Sequence, residues 1–553
     1  MKASPQATDQ AATLSQPARF IPAAGLLFCL VFAWGAGLRL YGLTGPFPDN
    51  YHGYNASYMS LSARNWVRHG PWRLQFFQVV DGGPLVAGSE VYTHHPPLVP
   101  LLVWLGFAAT GTSGEWVARL VPITFSLGTL VLLFLLVRRL WGERVALLAS
   151  FFYALLPYAT YFANDVCYET GTQFFFLLVV YFYIRYMESQ SPWPFVAMCA
   201  GLVLGALNDW PAFFTVPILG LHWLFCFPGR RRLYCLWYPA LAAGLAGIIF
   251  WFIARAEGTW LIPQITGLFR PGGQSAHTPA EVSYTAAQWF RIVVMGYMRY
   301  YVVWPVLALA LMWGLGRLRA GRRPLTTADA VLLILLSFGA LYVALGRSWA
   351  YSHPYWATVL LPGLCAAAAV ALRDLWAGLG SRGNARAAAL WAAGLLAFGL
   401  FCSYRLYRLH AHTTGDYRAA QVLKENTQFH DHILLSYTAG DPMVLRFYAD
   451  RNIGFGVQTP EAFLSLYRAP YRMVSWAAGP PLETIAPDIN YGRPGPAYRY
   501  FFFPDEHRAR LAPLHRLLTA AFRGRPISRF TLFDLNDPLV PEGEVERLAT
   551  VTQ

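Results

Sequence analysis

Long apolar runs recur through roughly the first 400 residues of the chain, and they constrain its fold more than any other feature. Each is close to the length of about 17 to 25 residues that an α-helix needs to cross the hydrocarbon core of a bilayer. The runs are 21–43, 116–137, 145–161, 170–187, 193–209, 211–227, 236–254, 300–316, 328–345, 355–372 and 387–403. The sequence therefore predicts an α-helical polytopic membrane protein with about 11 transmembrane helices.

The composition agrees with a membrane protein and excludes a disordered one. Of the 553 residues, 56% are hydrophobic and only 13% are charged, whereas a soluble protein carries about 25% charged residues. The formal net charge is +14, from 43 Lys and Arg against 29 Asp and Glu. Such an excess indicates a nucleic-acid partner only where the cations cluster on a soluble surface.

The arginines are instead concentrated in four connections between predicted spans. These are Arg138, Arg139 and Arg144; Arg230, Arg231 and Arg232; Arg317, Arg319, Arg322 and Arg323; and Arg373, Arg382 and Arg386. Counting the crossings places all four connections on one side of the membrane, which the positive-inside rule makes cytoplasmic. The basic excess therefore reports topology, and we expect no nucleic-acid partner.

This topology divides the chain into three parts. Residues 1–20 are predicted to be a disordered cytoplasmic tail, 21–403 the transmembrane domain, and 404–553 an extracytoplasmic soluble α/β domain. The transmembrane domain includes a long first outer loop, 44–115, and an outer flexible loop rich in glycine and proline, 255–299. The soluble domain mixes strand-like runs and helical patterns: Ile433–Tyr437, Met473–Trp476 and Phe530–Phe533 as strands, and Tyr417–Asn426 and Pro442–Arg451 as helices.

The first outer loop contains two predicted helices. Within Asn55–His69, apolar residues recur at the spacing of one helical face, which suits a helix in the membrane interface and equally a packed surface helix. A second helix begins at His95-Pro96-Pro97, because proline suits the first helical turn. It is too short to span comfortably, so we place it on the outer membrane face.

Carboxylates near the outer ends of the spans are the first candidates for chemistry. Asp49 follows the first span in a rigid, aromatic loop, where it can act as a general base or cap the following helix. Asp165 and Glu169 stand four residues apart between the third and fourth spans. Acidic residues at a hydrophobic boundary are functional candidates, with helix capping as the alternative. For Asp209, in the next outer turn, a turn-forming role is favoured.

Histidine and arginine side chains on the predicted outer side suit a substrate that combines a phosphate with a lipid tail. Guanidinium forks bind phosphate bidentately, and histidine can donate to phosphate oxygens. Contacts with lipid headgroups would produce the same pattern. The candidate substrate-binding residues are His52, His94, His95, Arg270, Arg299, Arg347 and His353. The chain has no match to a P-loop, a dinucleotide-binding fingerprint or an activated-serine motif.

Several short motifs follow one another in a characteristic order over residues 40–190. They are Asp49 after the first span, Ala63-Arg64-Asn65 in the next helix, Tyr92–Leu98 with its His-His-Pro-Pro, Ala118–Pro122, and Arg138–Arg144. In this order the chain resembles the polyprenol-dependent membrane glycosyltransferases of the GT-C class. Within that class it is similar to the superfamily of protein O-mannosyltransferases and aminoarabinose transferases.

The resemblance implies a GT-C fold and a specific reaction. A sugar would pass from an undecaprenyl- or dolichyl-phosphate donor to a glycolipid, glycan or protein acceptor on the outer face of the cytoplasmic membrane. The family's catalytic carboxylate corresponds to Asp49, although the common Asp-Glu pair is Asp49-Asn50 here. Its second-loop acid corresponds to Asp165, with Glu169 nearby.

The implied mechanism is an inverting displacement at the anomeric carbon. Asp49 would orient or deprotonate the acceptor, and groups such as His95 and Arg299 would hold the departing lipid phosphate. The family resemblance requires no cofactor in this chain. A divalent cation bound by Asp49, His52 and Asp165 is compatible with the residue types, but the spacing does not demand it.

Two other function classes fit parts of the pattern. A lipid-linked sugar transporter or flippase would be expected to have repeat symmetry and polar groups at mid-membrane. The sequence instead places polar groups at the outer helix ends and adds an outer domain. A non-catalytic scaffold that retained the fold is the third alternative.

Overall fold

The computed structural model describes residues 22–189, 191–226, 232–257, 284–319, 326–378, 385–411, 413–436, 439–469 and 497–551. Three predictions fall wholly or mostly outside these residues. They concern the tail 1–20, the larger part of the loop 255–299, and the strand Met473–Trp476.

Helices dominate the chain up to residue 409, and each predicted span falls largely on helical residues. The helices are α1 Pro22–Leu40, α2 Tyr51–His69, α3 Leu98–Thr110, α4 Glu115–Trp141, α5 Glu143–Leu155, α6 Pro157–Tyr161, α7 Glu169–Glu188, α8 Trp193–Asn208, α9 Thr215–Cys226, α10 Arg232–Glu257, α11 Ala286–Trp289, α12 Trp304–Arg319, α13 Thr327–Leu345, α14 Arg347–Ser352, α15 Leu361–Gly378 and α16 Ala385–Leu409. Short 3-10 helices cover Phe162–Asn164, Trp210–Phe214 and Pro354–Leu360, and a π-helix covers Phe290–Val302. Two short strands, β1 Gln78–Val79 and β2 Val91–Tyr92, pair in the first loop.

The protein is a multi-pass membrane protein, but the predicted count of 11 spans is not confirmed. Among the described residues, six helices are long and apolar enough to cross a membrane, or up to eight if each of two bent helix pairs is one span. The pairs bend by 59° at Leu155–Pro157 and by 114° at Val302–Trp304. The predicted spans 193–209 and 211–227 correspond to shorter apolar helices, which fall below the length of a straight crossing.

The bundle has two chemically different ends. Helix α4 begins at Glu115, which accepts a hydrogen bond from Tyr448 of the C-terminal region, and ends with Arg138 and Arg139. At that far end Arg139 pairs with Glu188, the last residue of α7. We call the end that carries the C-terminal region the domain side. The first arginine-rich connection therefore lies at the opposite end.

The C-terminal region is a small α/β unit, as predicted. Its elements are α17 Gly415–Asn426, β3 His432–Ser436, α18 Pro442–Ala449, β4 Asn452–Val457, α19 Pro460–Leu466, β5 Tyr500–Pro504, α20 Ala512–Ala521, β6 Phe522–Ile527, β7 Phe530–Pro538 and α21 Glu542–Val551. The strand order is β4-β3-β5-β7-β6, with β3 parallel to β4 and β5, and β7 antiparallel to β5 and β6. The predicted strands 433–437 and 530–533 correspond to β3 and β7.

Helix α2 of the first loop is packed between the bundle and the C-terminal region. Of its 19 residues, 14 are buried, including the polar Ser57, Ser60 and Ser62. This burial favours the packed helix over the interfacial helix that the same periodicity allowed. The last turns of α2 bind α18, since Arg64 and Arg68 both pair with Asp450, at 3.0 and 2.8 Å.

A buried hydroxyl joins three separate parts of the chain at this interface. The Tyr448 hydroxyl accepts a hydrogen bond from the Phe47 backbone N–H at 2.7 Å and donates to the Glu115 carboxylate at 2.8 Å. Phe47 is fully buried and lies two residues before Asp49. The position of the Asp49 turn therefore depends on the C-terminal region.

We expect Tyr448→Phe to lower the stability of the protein by about 1–3 kcal/mol, because it leaves the buried Phe47 N–H without an acceptor. The measurement is the apparent thermal unfolding temperature in detergent. Tyr404→Phe is the control, since Tyr404 is 56% exposed on α16. Equal unfolding temperatures for the two variants would contradict this role of the hydroxyl.

Candidate active site

The turn that leads to Asp49 is fixed by one guanidinium. Arg119, buried near the start of α4, donates to four backbone carbonyls of the turn: those of Gly42, Leu43, Gly45 and Pro46. Arginine suits this task because it presents five N–H donors in a rigid fork. The chain before Asp49 is thus tied to the domain-side end of the bundle.

Asp49 itself is tied to the C-terminal region. Its carboxylate accepts hydrogen bonds from the backbone N–H groups of Gly415, at 2.5 Å, and Asp416, at 3.0 Å. These are among the first N–H groups of α17, which have no acceptor within their own helix. Asp49 therefore does cap a helix, but one that is distant in the sequence. The following helix, α2, is capped by Asn50, whose Oδ1 accepts from the His52 N–H at 2.9 Å.

The first turns of α2 meet the predicted second-loop acid. The ring of His52 lies 4.1 Å from the Tyr161 ring, and the Asn50 amide donates to the Tyr161 hydroxyl at 3.4 Å. One turn later, Asn55 Nδ2 donates to Asp165 Oδ2 at 3.3 Å. The fold thus gathers three of the predicted site residues, Asp49, His52 and Asp165, around the start of α2.

Asp165 and Glu169 are both buried at the domain side of α7. Within the described chain, Asp165 Oδ1 and Glu169 Oε2 are buried without a hydrogen-bond partner. Burial, reinforced by the neighbouring Glu169, raises the pKa of Asp165 well above its usual range. Buried polar atoms are normally satisfied, so these oxygens are available to a bound substrate.

His95 belongs to a separate buried network. Its Nδ1 lies 2.7 Å from the Tyr92 hydroxyl, its Nε2 lies 3.7 Å from Asp209 Oδ1, and its ring stacks on Tyr168 at 4.4 Å. Burial lowers the pKa of His95 to about 3 and raises the pKa of Asp209 to about 8. Both groups are therefore neutral near pH 7, so a contact of His95 with phosphate would be a hydrogen bond and not an ion pair. The backbone of His94 joins this network by accepting from Trp210 Nε1 at 2.9 Å.

The other predicted phosphate ligands are scattered. The Arg299 guanidinium lies over the Trp304 ring at 6.0 Å, and Arg347 is an exposed residue at the start of α14. His353 does reach α2, because its ring lies 5.0 Å from that of Tyr51. Burial lowers the pKa of His353 to about 4, so its ring is also neutral near pH 7. Arg270 lies outside the described residues.

The residues proposed for a divalent cation do not form a metal site. Among the residues that the structure describes, no group of three or more His, Cys, Asp or Glu side chains is arranged to hold a metal ion. His52 faces the rings of Tyr161 and Phe162, at 4.1 and 4.8 Å. We therefore derive no catalytic step through a metal.

Sequence reasoning missed the contribution of the C-terminal region to this site. Asp416 Oδ2 accepts from the Asp441 N–H at 3.0 Å, and Asp441 caps α18 by accepting from Met443 and Val444. Together Asp49, Asp416 and Asp441 form a row of carboxylates, each bonded to backbone N–H groups, which we call the carboxylate chain. The Asp-Pro at residues 441–442 is a recognisable helix start, but nothing local links it to Asp49.

Part of the chain is similar to a known protein family. The family model described as dolichyl-phosphate-mannose-protein mannosyltransferase matches residues 94–254. A search of curated protein sequences finds no significant match.

Solved structures match over nearly the whole chain. ArnT from Cupriavidus metallidurans bound to undecaprenyl phosphate has a TM-score of 0.59 at 15% identity, over 92% of this chain and 97% of that one. The apo form of that ArnT has a TM-score of 0.58 at 15% identity, over 93% and 98%. The archaeal oligosaccharyltransferase AglB from Archaeoglobus fulgidus, in complex with an inhibitory peptide and a dolichol-phosphate, has a TM-score of 0.52 at 13% identity, over 93% and 75%.

These likenesses define the class of protein to which the fold belongs. The architecture is that of the GT-C membrane glycosyltransferases, as the sequence motifs implied. The match of the family model to residues 94–254, less than a third of the chain, agrees with this fold.

The carboxylate chain gives the protein a pH-dependent stability. Burial raises the pKa of Asp416 to about 6 and that of Asp441 to about 7. Asp416 faces Asp49 and Arg529, while Asp441 faces Asp416 and Arg446. The pKa of an Asp side chain in the unfolded protein is about 3.9. The stabilisation that comes from protonated Asp416 and Asp441 is therefore fully present below about pH 4. This stabilisation is lost as the pH rises through about 6 and about 7, the pKa values of Asp416 and Asp441 in the folded protein.

We expect the double variant Asp416→Asn/Asp441→Asn to lose less stability between pH 5 and pH 8 than the wild type. The amide oxygens keep the acceptor positions, but they do not ionise. The measurement is the apparent unfolding temperature across this pH range, with Asp537→Asn as a surface control that is 53% exposed. A pH slope equal to that of the wild type would show that the two carboxyls are already ionised in the folded protein.

Proposed function

We propose that this protein is a membrane glycosyltransferase that moves a sugar from a polyprenyl-phosphate donor to an acceptor on the outer face of the cytoplasmic membrane. One observation carries the proposal. The first turns of α2 bring Asn55 to the buried Asp165, and Asp49 lies directly before the same helix, where the N-terminus of α17 holds its carboxylate. The GT-C architecture supports lipid-linked sugar transfer in general, and related structures hold undecaprenyl phosphate or a dolichol-phosphate.

In this proposal Asp49 is the catalytic carboxylate. It is half-buried, and two backbone N–H groups orient it. The acceptor nucleophile forms a bond to the anomeric carbon and passes its proton to Asp49. The bond between that carbon and the phosphate oxygen breaks, and its electron pair leaves with the lipid phosphate. Attack opposite to the leaving group inverts the anomeric centre.

Asp165 and Glu169 are proposed to bind the sugar. Their unpartnered oxygens lie in a buried region, where a hydrogen bond to a sugar hydroxyl is stronger than in water. Asn55 orients Asp165 through its amide, and Tyr161 lines the same region. Arg270, Arg299 and Arg347, with His52, His94, His95 and His353, remain candidate donor-binding residues. His95 and His353 would act as neutral hydrogen-bonding groups.

The proposed orientation rests on the two ends of the bundle. The cytoplasm would face the end with Arg138 and Arg139, and the domain side would face outward. The candidate site would then open towards the outer leaflet, where a polyprenyl tail stays in lipid while its phosphate reaches the site. The acceptor would be a glycolipid, a glycan or a protein.

We expect Asp49→Asn to reduce sugar transfer at least a hundredfold, since a positioned general base contributes about 10²–10⁴-fold. The assay uses purified full-length protein, radiolabelled polyprenyl-phosphate sugars and membrane extracts as the source of acceptor. Asp374→Asn is the matched control, because Asp374 is 60% exposed and lies outside the candidate site.

Two results would count against the proposal in different ways. Undiminished transfer by Asp49→Asn would remove the catalytic role of Asp49. An absence of transfer with every lipid-linked donor, together with translocation of lipid-linked sugar in liposomes, would instead indicate a flippase.

We expect Gly53→Ala to reduce transfer at least tenfold by displacing the Asp49 turn. A Cβ on Gly53 would lie 1.8 Å from the Pro48 carbonyl oxygen, so the backbone beside Asp49 must move. Small displacements of a catalytic group have large effects on rate. Gly37→Ala on α1 is the control, because the space around its Cβ is open. Wild-type activity of Gly53→Ala would mean that the position of this turn is unimportant.

A further inference from the structure

A hairpin of the C-terminal region points an arginine towards Asp49. Strands β6 and β7 are joined by the two-residue turn Ser528–Arg529, in which Ser528 has a left-handed φ of 57°. The Arg529 carbonyl accepts a hydrogen bond from the Asp505 N–H at 3.0 Å, and the neighbouring Phe530 is buried against Phe502 at 4.4 Å. The turn is therefore anchored to the sheet, while the Arg529 side chain is exposed.

The surroundings of Gly415 show that the Arg529 side chain lies close to the proposed catalytic carboxylate of Asp49. A Cβ on Gly415 would lie 3.1 Å from Arg529 Nη2 and 3.2 Å from Asp49 Oδ2. The two side chains thus border the same small volume, which a side chain at residue 415 would fill. Glycine at this position leaves that volume open.

The acidic neighbours of Arg529 do not occupy the N–H groups of its guanidinium. Both carboxylate oxygens of Asp49 accept hydrogen bonds from backbone N–H groups, and Asp416 Oδ2 accepts one from the backbone N–H of Asp441. Within the described part of the chain, Arg529 forms no hydrogen bond or ion pair through its side chain, and its guanidinium lies over the Phe530 ring at 5.3 Å. Its N–H donors are therefore available to a ligand.

We propose that Arg529 binds a phosphate group of the substrate beside Asp49, so that the C-terminal region supplies part of the active site. This inference rests on the proposed function. A guanidinium fork matches two oxygens of a phosphate and binds them with two parallel hydrogen bonds. The phosphate belongs either to the polyprenyl-phosphate donor or to a phosphate-bearing glycolipid acceptor, and both would approach from the lipid.

The neighbouring carboxylates do not prevent an anion from binding there. The N-terminus of α17 carries a partial positive charge and places its first N–H groups against Asp49, which offsets the charge of that carboxylate. Arg529 is also exposed at its turn, so a phosphate can reach its guanidinium.

The experiment compares Arg529→Gln with Arg529→Lys and Arg523→Gln in the full chain. Arg523 is the matched control, since it lies on the same hairpin, is 72% exposed and pairs with Asp537. KM and kcat are measured for donor and acceptor separately, and binding of undecaprenyl phosphate without sugar is measured directly at two salt concentrations. Thermal unfolding confirms that each variant is folded.

We expect Arg529→Gln to raise KM for the phosphate-bearing substrate about tenfold or more, the effect of losing a charge-assisted hydrogen bond. Arg529→Lys should fall between it and the wild type, because it keeps the charge without the fork. Arg523→Gln should stay within twofold of the wild type. If donor KM rises and undecaprenyl phosphate binds more weakly, the phosphate is that of the donor. If only acceptor KM rises, it is that of the acceptor.

The inference fails if Arg529→Gln leaves both KM values and undecaprenyl phosphate binding unchanged, whatever happens to kcat. This failure is distinguishable from failure of the proposed function. In the first case the wild type still transfers sugar and Asp49→Asn still transfers it at least a hundredfold more slowly, whereas in the second the wild type transfers no sugar from any lipid-linked donor.

Discussion

Two backbone N–H groups, those of Gly415 and Asp416, bind the carboxylate of Asp49, and the organisation of the site depends on this contact. On one side of it, Arg119 holds the turn that precedes Asp49. On the other side, Asn50 starts α2 and sets the direction in which the helix presents Asn55 to Asp165. The C-terminal region therefore orients the candidate site as well as covering it.

The same contact makes compatible the two roles that the sequence presented as alternatives for Asp49, helix capping and the proposed general-base catalysis. A capping carboxylate accepts hydrogen bonds at a helix N-terminus, and a general base must be held in one orientation close to its substrate. Here the cap supplies that orientation. The cap is formed with a distant helix, so the two roles do not compete for the same local geometry.

The transmembrane helices and the α/β character of the C-terminal region could be predicted because they depend on local patterns. Apolar runs identify spans, and short apolar strands such as Phe530–Phe533 identify part of a sheet. The number of straight crossings could not be predicted, because bends such as that between α5 and α6 depend on packing. Strand β6, with its sequence Phe-Arg-Gly-Arg-Pro-Ile, has no apolar alternation to reveal it.

The candidate site was predictable only in part, for the same reason. Asp49 and Asp165 stand out as isolated acids at the ends of apolar runs. The neutral state of His95 cannot be recognised in the sequence, because it arises from burial beside Tyr168 and Asp209. Arg529 is one of many surface arginines in the sequence, and only the folded hairpin brings it to Asp49.

The separation of 366 residues between Asp49 and Gly415 has a consequence for the biogenesis of the protein. Translation at about 5–20 residues per second would leave Asp49 without its capping helix for roughly 20 to 70 s after it is made. During that interval the Asp49 carboxylate lacks the two N–H groups that orient it in the folded protein. The Asp49 turn therefore reaches its final geometry only after the last part of the chain has been made and has folded onto α2.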